Sequence, residues 1–382
     1  MKVGIVCYPT FGGSGVVATE LARGLAGREH EVHLFSYAPP ARLPDLPGRI
    51  TFHEVEVSTY PLFRYPPYEV ALASRLTETA EEAGLDLVHV HYAIPHALAA
   101  LLVKDILAPR ALPVVTTLHG TDITVVGQDR SYRRVTEHAL TRSDAVTAVS
   151  GWLRDETLKV FGCTRTIDVV PNFVDTERFQ PRAPGLEGDL RRKAWAAPHE
   201  ALLVHVGNFR PVKRARRVVE AFAQVQAARP GRLLMVGDGP ERAECEALAR
   251  TLRVHERVRF LGSTARIEDL LPLADLLLLP SEHESFGLSA LEAMACGVVP
   301  VASRAGGLPE VVDDGSSGLL VEGGESAAMA AAALALLEDA PRRAAMAAAA
   351  RRAAVERFSP ERALDRYEAI YARVVGAPSG PA

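Results

Sequence analysis

Short apolar runs alternate with longer stretches of helical period along the 382 residues of this chain. KVGIVCY, from Lys2, comes first, followed by a glycine loop and the helix-like VVATELARGLAGR. EVHLFSY, DLVHVHY, LPVVTTLHG and DAVTAVS continue the series, most of them separated by helical stretches. A second series runs through ALLVHVGNF, RLLMVGDG, RVRFLG, DLLLLPS and VVPVAS. Short, nearly continuous apolar runs predict strands covered on both faces, and their alternation with helices predicts parallel sheets. Two series predict two doubly wound α/β domains. The seam falls near DVVPNFVDTERFQPRAPG, residues 168–185, where prolines interrupt the pattern as in a hinge. The expected division is residues 1–171, residues 172–357, and a final helix over 358–382 that packs back on the first domain. Residues 326–356, rich in alanine with paired arginines, read as surface helix.

Length alone suits two domains better than one core. Apolar residues at 48% and charged residues at 24% are an ordinary globular mixture. A formal net charge of −4 gives no reason to expect nucleic acid or an anionic membrane as partner. No apolar run approaches the roughly 18 residues of a membrane span. The first apolar run breaks at Pro9, as a first strand would and a signal peptide would not. Cys7, Cys163, Cys245 and Cys296 are scattered without a CxxC pair, which fits a reducing cytoplasm and neither a disulfide framework nor a zinc site. The expectation is a cytoplasmic protein acting on small molecules, and a homo-oligomer is compatible with the pattern.

Ligands of doubly wound sheets bind beyond the carboxyl ends of the strands, so polar residues just past a strand end carry most weight. In the first loop Gly13, Gly15 and Ala18 match G-x-G-x-x-A, which favours a nicotinamide or flavin cofactor. That reading needs an acid at the end of the second strand, and HLFSY ends without one. The glycines still free helix N–H groups for an anion or polar substrate, or serve only a tight turn. His91, Tyr92 and His119 follow two further strands, although Tyr92 also suits a core position. In the second half Arg210 and Lys213 follow the strand that ends at Gly207, while Arg214 reads as solvent-facing. SEHESFGLSALEAMACG then leaves a strand and starts a helix near Gly287, Leu288 and Ser289. Two cations facing a helix N-terminus make an anion site of pyrophosphate size. A departing diphosphate needs metal or fixed cations, and the chain has no D-x-D. Glu292, one turn into the helix, offers two acceptor oxygens to a ribose diol. Glu284, in the loop, and the amides of Phe286 and Gly287 suit the hydroxyls of a transferred sugar.

With these residues assembled, the chain resembles the retaining GT-B glycosyltransferases that carry an E-x7-E motif, here Glu284 to Glu292. GGSG, VGDGP, GGLPEVV and VPNFVD support the resemblance, which covers the whole chain. CYPTFGGSGVVATELA, FHEVEV, YPPYEVALAS, HVHYAIPHA, TTLHGTDITVVG and NFRPVKR are similar to the branch that joins N-acetylglucosamine to L-malate in bacillithiol synthesis. The resemblance implies two Rossmann-like domains facing a central cleft. It also implies UDP-N-acetylglucosamine as donor, L-malate as acceptor, an α-linkage, and no required metal or coenzyme. Carried onto this sequence, it makes Gly13, Gly15, Asn208, Phe286, Gly287, Leu288 and Glu292 donor-binding residues. His119, Arg210, Lys213 and Glu284 become catalytic candidates, and Ser14, Tyr92 and Thr117 acceptor candidates. Many relatives carry an arginine directly after the glycine of the GNFRPVK segment, where this chain has Asn208. Arg210 therefore serves either the diphosphate or an acceptor carboxylate. Two other readings stay open: the same reaction with another acceptor, and an oxidoreductase using the GGSGVVA loop. A non-enzymatic sugar-nucleotide sensor is a third.

Overall fold

The computed structural model describes residues 1–9, 13–40, 48–57, 64–183, 185–264 and 266–376. The chain divides into two compact units, Met1–Asn172 joined by the segment from Pro360, and Phe173–Ser359.

The first unit holds β1 (Lys2–Val6), β2 (Glu31–Ser36), β3 (Ile50–Glu54), β4 (Leu87–His91), β5 (Val114–Leu118), β6 (Ala145–Ala148) and β7 (Asp168–Val169). They form one parallel sheet in the order β3-β2-β1-β4-β5-β6-β7. β4, β5 and β6 are buried along their whole length, as strands between two helical layers must be. The edge strand β3 is half exposed. Chain order reverses between β1 and β4, so the crevice for a ligand opens at the ends of those two strands.

The last helix, Pro360–Val375, belongs to this unit. It crosses the helix Gly13–Gly27 at Gly24, where a Cβ would lie 2.7 Å from Leu364 Cδ1. Arg28 Nη1 reaches Asp365 and Glu368, each at 2.6 Å, and His30 Nε2 lies 2.8 Å from Glu368. Leu364, Tyr367, Ile370 and Tyr371 are buried. At about 1.5–3 kcal/mol for each fully buried large apolar side chain, that face holds the helix in place more than its surface ion pairs do.

The second unit holds β8 (Ala201–Val206), β9 (Gly231–Val236), β10 (Val258–Gly262), β11 (Leu276–Leu279), β12 (Val299–Ser303) and β13 (Leu319–Val321), also parallel, in the order β10-β9-β8-β11-β12-β13. Its chain order reverses between β8 and β11. Leu203, Leu233, Met235, Leu276 and Val301 pack with Val218, Phe222 and Val225 of the helix Ala215–Ala228. The alanine-rich stretch differs from the surface helix expected of it. It forms two helices, Ser326–Glu338 and Ala340–Arg357, and the first puts Met329, Ala333 and Leu336 into the core at 0% exposure. Alanine lets that helix lie close against Ala215–Ala228, with which it makes extensive contact. The thiols of Cys7, Cys245 and Cys296 are buried, whereas Cys163 is part-exposed, and all four are free.

Candidate active site

In the second unit both loops at the switch point are built on glycines. β8 runs into Gly207, exposed Asn208, buried Phe209 and exposed Arg210, and then a short helical turn, Pro211–Lys213. The VGDGP segment supports this loop from behind. Phe209 N donates to Asp238 O at 3.0 Å, and Glu241 N donates to Phe209 O at 2.9 Å. Gly237 (φ 125°) is obligatory there, because a Cβ would sit 2.0 Å from Gly207 O.

β11 runs into Ser281 and Glu284, and Gly287 (φ 100°) caps the helix Leu288–Ala295. The two loops meet at an ion pair: Lys213 Nζ donates to Glu284 Oε2 at 2.6 Å, and Ser281 Oγ donates to the same oxygen at 3.2 Å. Val212 O also accepts from Glu282 N at 2.8 Å. GGLPEVV fixes the far side of Glu284. Gly307 N donates to Glu284 O at 2.8 Å, and a Cβ on Gly306 (φ 55°) would fall 2.0 Å from that carbonyl. Phe286 is buried edge-on against Phe358, so its ring anchors the turn while its backbone stays at the helix entrance. Glu292 lies in the second turn, 7% exposed. Arg214 is tied to Glu282 at 2.8 Å and to Gly323 O, as a structural cation would be. Arg210 makes no ion pair among the described residues. The structure thus brings Lys213, Glu284, Phe286, Gly287, Leu288 and Glu292 to one edge, with Asn208 and Arg210 on the neighbouring loop. His205 lies beneath them. Its Nδ1 donates to Leu278 O at 2.9 Å, and burial pushes its pKa down to about 4.

In the first unit the ends of β4 and β5 meet through imidazoles. His91 Nδ1 and His119 Nε2 are 2.8 Å apart, and His96 Nδ1 donates to His91 O at 2.6 Å. Burial lowers the His119 pKa to about 3, helped by the charge of His96, so His119 is neutral at physiological pH. A neutral imidazole there can offer a hydrogen bond but no positive charge. Tyr92 N donates to Thr117 O at 3.0 Å, and its φ of 93° is a strained value for a side chain of that size. The Tyr92 ring lies 5.4 Å from that of His119 and 5.3 Å from that of Tyr8. Ser14 is buried in the first turn of Gly13–Gly27, next to exposed Gly13 and buried Gly15.

Thr117 stands apart from this group. It lies one layer beneath His119 on the same sheet face, and its Oγ1 is shared with His89 Nε2 at 2.7 Å and Thr147 Oγ1 at 2.6 Å. It has no exposed surface. The residue that sequence reasoning missed is Asp122. Its Oδ1 accepts from Gly120 N at 2.8 Å and His119 N at 3.2 Å, while Oδ2 accepts from Ala93 N at 3.2 Å. One carboxyl therefore ties both strand ends together. Burial outweighs these donors and raises its pKa to about 6. A Gly-x-Asp after a strand end was the available signal, but the Ala93 contact crosses 29 residues of sequence.

Among the described residues no cluster of three or more His, Cys, Asp or Glu is arranged to hold a metal ion. No described helix is long and apolar enough to cross a membrane. The model of the glycosyl transferases group 1 matches residues 188–353, and that of glycosyltransferase family 4 matches residues 11–178. The chain is 44% identical, over 97% of its length and 96% of the relative's, to the N-acetyl-alpha-D-glucosaminyl L-malate synthase of Bacillus anthracis. It is 31% identical to the D-inositol 3-phosphate glycosyltransferase of Actinosynnema mirum, covering 82% of this chain and 80% of that one. Among solved structures, sucrose-phosphate synthase from Thermosynechococcus elongatus superimposes with a TM-score of 0.83 at 21% identity, over 99% of this chain and 100% of that one. Anabaena Alr3699/HepE, in complex with UDP and glucose, gives 0.81 at 23% identity, over 97% and 99%. The two parallel-sheet units, the paired loops at the second switch point and these matches agree: the chain is an enzyme with the GT-B fold and belongs to the group 1 and family 4 glycosyltransferases.

Proposed function

We propose that the enzyme transfers N-acetylglucosamine from UDP-N-acetylglucosamine to the hydroxyl of L-malate and forms the α-linked glycoside. The observation that carries this reading is the near full-length identity to an enzyme of that name, which includes the acceptor half of the chain. Donor contacts are assigned to the second unit. Glu292 holds the ribose diol, the amides of Phe286, Gly287 and Leu288 serve the sugar and diphosphate, and Lys213 and Arg210 supply fixed positive charge. Gly13 and Gly15 add backbone donors from the first unit, and Ser14 and Tyr92 are assigned to the acceptor.

The malate hydroxyl attacks the anomeric carbon from the face that UDP leaves. The bond from that carbon to the phosphate oxygen breaks, and the hydroxyl proton passes to the departing β-phosphate. Glu284 Oε2 is already held by Lys213 and Ser281, which suits it to accept from sugar hydroxyls rather than to attack carbon. Retention of configuration and independence from metal are part of the proposal. The latter rests on the absence of a D-x-D and on the cations after Gly207.

Mass spectrometry of the products after incubation with both substrates tests the reading. The expected mass is N-acetylglucosaminyl-malate, formed together with UDP and undiminished by EDTA. UDP release that ignores L-malate and follows another acceptor would replace the malate assignment. Activity lost to EDTA and restored by magnesium or manganese would overturn the metal-free mechanism.

A further inference from the structure

His119 has one ring nitrogen committed and one available. Its Nε2 faces His91 Nδ1 at 2.8 Å, and the ring is only part-buried. The proton between the two imidazoles can belong to either. If His119 Nε2–H donates, the proton of neutral His91 must sit on Nε2. That atom is fully buried and has no hydrogen-bond partner among the described residues. A buried N–H without an acceptor is among the rarest and costliest faults in a folded protein. If His91 Nδ1–H donates instead, only a bare lone pair is left at Nε2. The His91 ring is stacked on both sides, which keeps Nδ1 turned toward His119 and Nε2 in the buried interior. His89 stacks on it at 4.7 Å and His119 at 5.0 Å, while its own carbonyl is held by His96.

We infer that His91 is a positioning residue that fixes the tautomer of His119, so that His119 carries its proton on Nδ1 and donates it to an oxygen lone pair of the donor substrate. This rests on the proposed sugar transfer and on His119 being a catalytic candidate for it. Asp122 completes the device from the backbone side by holding the amides of His119 and Gly120. His119 then acts as a neutral donor set from behind, as histidines are whose second nitrogen has a fixed partner.

The tautomer is read directly from long-range 1H–15N spectra of histidine-labelled enzyme near neutral pH, with His119 assigned by its loss in His119→Asn. The expected state has Nδ1 protonated and Nε2 bare. A His119 protonated on Nε2 would overturn the inference, whatever the acceptor proves to be. Adding UDP alone, or UDP-N-acetylglucosamine, should shift the Nδ1–H signal; a response to UDP alone places the contact at phosphate, and a response only to the sugar nucleotide places it at the sugar. No shift with either would remove the ligand contact. Two variants separate positioning from packing. His91→Asn puts an amide N–H near the place of Nδ1 and should keep kcat within a few-fold. His91→Phe keeps a ring but no donor, and kcat should fall on the order of 10- to 100-fold, with UDP affinity unchanged where the contact is to the sugar. Equal losses in both variants would reduce His91 to a packing role.

Discussion

At the scale of single residues, the Lys213–Glu284 pair changes what each deletion should do. Glu284→Ala removes the partner of Lys213 and leaves the ammonium free for the diphosphate. UDP affinity should therefore hold or rise while turnover of UDP-N-acetylglucosamine falls. Glu292→Ala should weaken UDP itself by about 1.5–3 kcal/mol, the range for a lost charge-assisted hydrogen bond. Calorimetry with UDP and steady-state kinetics on both variants check the division, and equal loss of UDP affinity in the two would contradict it. Arg210 is an exposed cation at the site without an ion pair among the described residues, and its chemistry decides its role. Lysine keeps the charge but loses the planar fork that fits a carboxylate. If Arg210 serves the acceptor, Arg210→Lys should raise the malate KM and leave the UDP-sugar KM near its original value. A fall in kcat of about 100-fold at saturating substrates, matched by Lys213→Ala, would assign both cations to the diphosphate.

At the scale of elements, the site depends on turns whose backbone is crowded from behind. Gly306→Ala would push a Cβ against Glu284 O, whereas Gly315, also at positive φ (77°), has nothing within 4 Å of a Cβ. Both changes cost about 1 kcal/mol or more in backbone strain. Only Gly306→Ala should also lower turnover, because it moves the carboxylate's own loop; similar turnover in the two variants would show that the loop tolerates displacement. The same elements show where sequence reading succeeds. β4, β5, β8 and β11 announce themselves because strands covered on both faces are mostly apolar, and Lys213, Glu284 and His119 do lie in the loops that leave such strands. ITFHE escapes notice because an edge strand keeps polar residues on its open side, and β7 is only two residues long. The alanine-rich helices mislead because alanine suits surface and close packing alike. Thr117 misleads through depth, since two residues along a strand move a hydroxyl from the rim to a sealed layer.

At the scale of the whole molecule, the buried imidazoles set a response to acid. Burial lowers the pKa of His89 and His119 to about 3, of His53 and His96 to about 4, and of His91 well below its ordinary value, all in the first unit. In the unfolded chain each returns to about 6.5. Between those limits the unfolded state binds more protons, so this stability is fully present above about pH 6.5 and is lost progressively as pH falls toward about 3 to 4. Asp122 runs the other way, because a carboxyl raised to about 6 favours the folded state as pH falls from 6 toward its ordinary value, but it is one group against five. Each depressed histidine contributes a slope of up to about 1.4 kcal/mol per pH unit within its window. The chain has two tryptophans, Trp152 in the first unit and Trp195 in the second, so Trp195→Phe leaves a single tryptophan, selectively excited at long wavelength, within the first unit. In that background, urea unfolding should give a stability that drops steeply from about pH 6.5 to about pH 5, above the range where most carboxylates titrate. Adding His89→Gln should lower stability at neutral pH, since His89 holds Tyr371 and Thr117 at 2.7 Å each. It should also flatten the acid slope by up to about 1.4 kcal/mol per unit, because one titrating group is gone. Parallel curves for the two proteins would mean that His89 is not held neutral in the folded enzyme, and the acid sensitivity would then have to come from groups outside the imidazole cluster.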